Sequence, residues 1–187
     1  MALESKSCDL QFTKFGNKMK VESGDSQNNI LTYIGKNKWN SGYCNVLYLK
    51  DNKIEICIKI KKLSISYGCV IGIVSNPIYI NDYFHFNKFD ITSYGLKSDS
   101  SQFCKGKKIA KKGNKFKTGD IVTLQIEDNA IKWLINDKLQ CIQNDIDQTV
   151  DCWYIGIAML GKNDSVEIAK FTMNSAEKQQ DDIKNDK

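Results

Sequence analysis

The sequence predicts an all-β protein, a sandwich of antiparallel strands. Three observations carry that prediction. Apolar residues recur at every second position in several stretches, and turn-forming residues separate those stretches at intervals of roughly 8–12 residues. No run of ten or more residues before the polar C-terminal end shows a helical repeat. With 187 residues, 41% of them hydrophobic, the chain can close one core of its own but cannot hold two enzymatic domains.

Taken in order, Phe12 and Phe15 offer a leading edge strand, and Glu22–Asn29 reads as a solvated loop. Residues 1–28 are therefore expected to be an N-terminal extension ahead of a sandwich domain over 29–173. Trp39 precedes a short strand, Tyr43–Tyr48. Within Lys53–Lys61, Ile54, Ile56, Ile58 and Ile60 share one face while Glu55, Cys57 and Lys59 share the other. The same alternation places Val122, Leu124 and Ile126, then Ile131, Trp133 and Ile135, then Val166 and Ile168, on buried faces. Gly68–Ser75 and Trp153–Leu160 are apolar on both faces, as central strands of a packed sheet are. Tight hairpins are expected at Glu127-Asp128-Asn129-Ala130 and Asn136-Asp137-Lys138, where Asn and Asp tolerate positive φ. After Asn174 the chain has a single Ile and no face to bury, so 174–187 reads as a polar tail, disordered or a frayed helix.

Charge and cysteine content narrow the chemistry. The net charge is +5, and every basic residue is Lys. Without Arg there is no bidentate fork for phosphate or guanine, which argues against a nucleic-acid partner. The seven Cys are odd in number and never spaced C-x-x-C, and His85 is the only His. A disulfide framework, a metal site and a cofactor are therefore not expected, and the thiols read as small buried hydrophobes. The N-terminus lacks a secretory signal pattern, and no apolar run reaches the roughly 18 residues of a membrane span, so a cytoplasmic protein is expected.

From Asn29 to Phe171 the order of features resembles a SPRY domain, the core of the B30.2 module. Trp39 and its strand lead into KIEICIKI, then IGIVS (Ile71–Ser75), a long aromatic loop, and the pair Tyr94-Gly95. Gly119-Asp120 opens IVTLQIED, whose hairpin partner AIKWLIND ends with Asp137 where the family has Gly, and DSVEIAKF completes the series. The Pro usual near the start of the penultimate strand is missing. The resemblance implies a bent sandwich of two sheets, lectin-like in topology, that binds peptide segments or folded protein surfaces through loops and lacks catalysis.

The resemblance also implies which residues face the partner. Tyr83 in the loop Asn76–Tyr94 is expected to line the pocket, with Phe84 and His85 beside it. Ser66 and Tyr67 precede GCVIGIVS, and Met159, Leu160 and Gly161 follow the penultimate strand. Trp39 is expected to plug the core or to line the rim. Lys105–Lys117 has seven Lys and no acid, Lys105, Lys107, Lys108, Lys111 and Lys112 among them. It reads either as an anion-binding stretch or as an exposed strand whose Lys guard a sheet edge. An enzyme is not expected, because no carboxylate pair, catalytic triad or phosphate loop can be assembled. The expected role is a protein-interaction module, an adaptor or subunit of a larger complex. The rivals are a lectin-like carbohydrate binder and an anionic-surface or nucleic-acid binder acting through Lys105–Lys117.

Overall fold

The computed structural model describes residues 10–23, 29–36, 38–47, 49, 52–78, 92–111, 113–127 and 129–175. Their fourteen strands are β1 (Phe12–Phe15), β2 (Met19–Ser23), β3 (Asn29–Tyr33), β4 (Asn40–Leu47), β5 (Asn52–Lys62), β6 (Cys69–Val74) and β7 (Ser93–Lys97), followed by β8 (Ser101–Cys104), β9 (Lys107–Lys111), β10 (Ile121–Glu127), β11 (Ala130–Ile135), β12 (Lys138–Gln143), β13 (Trp153–Met159) and β14 (Ser165–Ser175). No helix occurs among the described residues. One sheet runs β1-β4-β13-β6-β7-β8-β9, the other β12-β11-β10-β5-β14-β3-β2, and the pairings are antiparallel. The predicted sandwich is thus the observed fold. Both strands before residue 29 are hydrogen-bonded into it, β1 at the edge of one sheet and β2 at the edge of the other.

Alternation places the core. Ile54, Ile56, Ile58 and Ile60 on β5, Val122, Leu124 and Ile126 on β10, and Ile131, Trp133 and Ile135 on β11 are buried against Ile71, Ile73, Ile155 and Ile157 of the facing sheet. The six residues of β6 are all buried, as its unbroken apolar run predicts. On the outer face of that sheet Tyr43, Val70, Val74 and Ala158 form a second, smaller cluster, against which Trp39 and Tyr154 pack. Across this face Gly156 pairs with Gly72, and Gly72 with Gly95. A Cβ on Gly72 would lie 2.0 Å from the Tyr94 carbonyl oxygen, so only glycine lets β7 approach β6 there.

The two dipeptides that carry the resemblance have physical jobs. Gly119 adopts φ +92°, which L side chains rarely accept. The Asp120 carboxylate then accepts the Lys117 N–H (2.8 Å) and the Asn136 side-chain amide (2.9 Å), tying the approach to β10 to the next hairpin. Asn136 and Asp137 stand at φ 49° and 63°, the left-handed pair of a type I′ turn, and Asn129 at 62°. Tyr94 is buried, its ring 5.7 Å from that of Trp153, and its hydroxyl accepts the Asp147 N–H at 3.0 Å. Burial pushes the Tyr94 phenol up to about 12.

Candidate functional site

Three connections meet at the end of the sandwich where β5 stops and β6 starts. The 63–68 turn joins β5 to β6, the 160–164 turn joins β13 to β14, and residues 34–39 join β3 to β4. Asp164 fastens them. Its carboxylate, wholly buried, accepts the Ser64 N–H at 2.6 Å and the Gly161 N–H at 3.1 Å. Its carbonyl accepts the Tyr33 N–H at 2.8 Å. Burial raises the Asp164 carboxyl above its ordinary value, against the lowering effect of those bonds.

The fastened turns bring Tyr67 and Leu160 together, because the Leu160 N–H donates to the Gly68 carbonyl at 2.9 Å. Tyr67 is 51% exposed, Ser66 is exposed beside it, and Leu160 is half-buried. Gly161 is buried beneath them, where a Cβ would lie 2.2 Å from Ser64 Oγ and 2.3 Å from Asp164 Oδ2; its role is to let the turn close. Met159 corrects the expectation. Its side chain is wholly buried in the core between the sheets, so it is not offered to a partner. Of the two places expected for Trp39 it takes the rim side, packing half-buried on the outer face rather than in the main core. Tyr83, Phe84 and His85 lie outside the described residues, as does Lys112.

Sequence reasoning missed Lys97. It ends β7, and its ammonium lies 5.5 Å from the centre of the Tyr67 ring and 5.7 Å from that of Trp39. Both distances are within cation–π range. Its side chain is only 17% exposed, and the Asp99 carboxylate stands 3.8 Å away. Burial lowers the Lys97 pKa, and the like charges of Lys108 and Lys111 lower it further while Asp99 opposes them. Nothing in YGLK distinguishes this Lys from any other strand end. Asp164 is equally silent in sequence, an acid in a turn between Asn and Ser.

The Lys-rich stretch forms β9, the edge strand of its sheet, with Lys105, Lys107, Lys108 and Lys111 exposed. Lys105 approaches the Asp147 carboxylate at 3.8 Å. At the opposite end of the sandwich a cavity of about 190 Å³ lies among Leu49, Ile126, Ile146, Val150 and Trp153, with Glu127, Asp147 and Asp151 at its border. Glu127 is paired with Lys53, and Asp147 accepts both the N–H and the hydroxyl of Thr149. Among the described residues no three His, Cys, Asp or Glu side chains gather as a metal site, and no helix is long and apolar enough to cross a membrane. The six described Cys are free thiols.

No family model matches the chain, and no curated protein matches it by sequence. Solved structures do match the fold. The SPRY domain of human HERC1 superposes with a TM-score of 0.62 at 16% identity, over 81% of this chain and 93% of that one. Another human SPRY domain gives 0.57 at 18% identity, over 83% and 95%. The carbohydrate recognition domain of Emp47p gives 0.51 at 12% identity, over 88% and 91%. The chain therefore has a SPRY-like fold, an architecture it shares with these SPRY domains and with a carbohydrate recognition domain.

Proposed function

We propose that this protein is a non-catalytic interaction module that docks a segment of another protein over the rim built by Tyr67, Trp39 and Leu160. The observation that carries the reading is the half-exposed Tyr67, held in place from behind by Lys97 and from the side by the Asp164-fastened turns. A rigid aromatic with an exposed face gives contact area at little entropic cost, which is what an interface anchor requires. In this reading Tyr83, Phe84 and His85 also face the partner, and the protein acts as an adaptor or subunit of a cytoplasmic assembly.

The test compares proteins cross-linked to the full chain and to its Tyr67→Ala variant in the native cells, alongside a glycan array. The expected result is one or more proteins recovered with the wild type, depleted at least tenfold with Tyr67→Ala, and no glycan retained. Glycan binding that Tyr67→Ala leaves intact, with no Tyr67-dependent protein, overturns the reading in favour of a lectin.

A further inference from the structure

Beside the rim stand more ammonium groups than the neighbouring carboxylate can neutralise. Lys97 lies on the outer face of its sheet, because it follows Gly95 by two positions on β7. Gly95 pairs with Phe103 and Phe103 with Lys108, while Ser101, two positions before Phe103, pairs with Lys111. Lys108 and Lys111 therefore share the face of Lys97, two strands away, or about 10 Å. Asp99 is the one acid beside them among the described residues: its Oδ1 accepts the Ser101 N–H at 3.0 Å and its Oδ2 stands 3.8 Å from the Lys97 ammonium, so one carboxylate faces three ammonium groups. From Ser100 to Gly119 the sequence has no acid at all.

Guarding a sheet edge accounts for Lys on β9 but not for Lys97. That residue sits on β7, with β8 between it and the edge, and its charge is largely withdrawn from water. The rings of Tyr67 and Trp39 and the Asp99 carboxylate offset part of the cost of withdrawing this ammonium from water, and with two further cations on the same face a second carboxylate docking there adds a favourable charge contact. Phosphate chains suit the patch poorly. It lacks Arg forks and spans too little for a row of phosphates.

We infer that the segment docked on this rim is acidic, an extended peptide that seats an Asp or Glu carboxylate among Lys97, Lys108 and Lys111 with its apolar flank on Tyr67 and Leu160. The inference rests on the reading of the rim as a protein-binding surface. A charge-assisted hydrogen bond contributes about 1.5–3 kcal/mol, so losing the contact lowers affinity at least tenfold.

The test is selection of a random octapeptide display library on the full chain, on Tyr67→Ala, and on the exposed pair Lys108→Gln/Lys111→Gln with and without Lys97→Gln, all first shown to keep the wild-type circular dichroism. The expected outcome is enrichment of Asp or Glu next to an aromatic or aliphatic residue. A synthetic peptide from that pool is expected to weaken at least tenfold with Lys108→Gln/Lys111→Gln, further with Lys97→Gln, and progressively with salt. Peptides that depend on Tyr67 but lack acids overturn the acidic-segment inference and leave the docking reading standing. No Tyr67-dependent enrichment overturns both. Tight binding of a twelve-nucleotide oligo-dT or of phosphatidylserine vesicles that the Lys variants abolish and Tyr67→Ala does not would reassign the cluster to an anionic polymer or surface.

Discussion

Asp164 shows how much one side chain can decide at the rim. Three segments of chain depend on its two carboxylate oxygens and its carbonyl, and no cation is hydrogen-bonded to it among the described residues. Removing a buried acceptor strands its donors at about 1–3 kcal/mol, so Asp164→Ala is expected to lower the unfolding free energy measured in urea by that amount and to loosen Tyr67 and Leu160. Its titration gives a sharper check. The folded value lies above the ordinary 3.8, burial being the main cause. Proton uptake by this group therefore favours the fold, fully below the unfolded value and less as the pH rises through the folded one. The stability of wild type relative to Asp164→Asn is expected to decline with rising pH from about 4 and then level off. A difference that grows with pH instead would mean that hydrogen bonding to the carboxylate outweighs its burial.

At the scale of elements, the β11–β12 hairpin is held by a turn whose two residues do different work. Asn136 accepts the Ile121 N–H at 2.9 Å and donates to Asp120 at 2.9 Å, so it is needed for its amide as well as its φ. Asp137 supplies its conformation and a minor charge interaction with the exposed Lys170. Asp137→Gly is therefore expected to raise the unfolding free energy measured in urea, by up to about 1 kcal/mol, since glycine adopts that φ freely. Asn136→Gly, which keeps the turn but loses both bonds, is expected to cost about 1–2 kcal/mol. Equal effects at the two positions would refute the division. Hairpins like this one, and the strands β5, β10 and β11, were legible in sequence because period two and turn chemistry are local properties. The rim was only half legible. Tyr67 and Leu160 came from the resemblance, but Lys97 reaches the rings of both Tyr67 and Trp39 through the lateral order β4-β13-β6-β7, which no local pattern encodes. Met159 failed for a related reason: one step along a strand turns a side chain from rim to core.

For the molecule as a whole, the question is whether the two sheets part together or the outer cluster opens alone. Cysteines are placed to answer it. Cys44 on β4 and Cys69 on β6 are wholly buried, and burial pushes both thiols well above their ordinary range. Cys57, on the outer face of the other sheet, is half-buried, with the Thr123 hydroxyl at 3.6 Å. A thiolate must form before it can react, so the two buried thiols are closed chemically as well as sterically. In native buffer, peptide-resolved mass spectrometry after iodoacetamide is expected to show Cys57 modified and Cys44 and Cys69 intact. Under increasing urea Cys44 and Cys69 are expected to become labelled together, along the curve for global unfolding, since β13 lies between their strands and pairs with both. Labelling of Cys44 well ahead of Cys69 would show instead that β1 and β4 peel from the β13 seam while β6 stays paired. Trp39, which immediately precedes β4, would then be carried by a mobile strand, and the rim could not be a preformed surface.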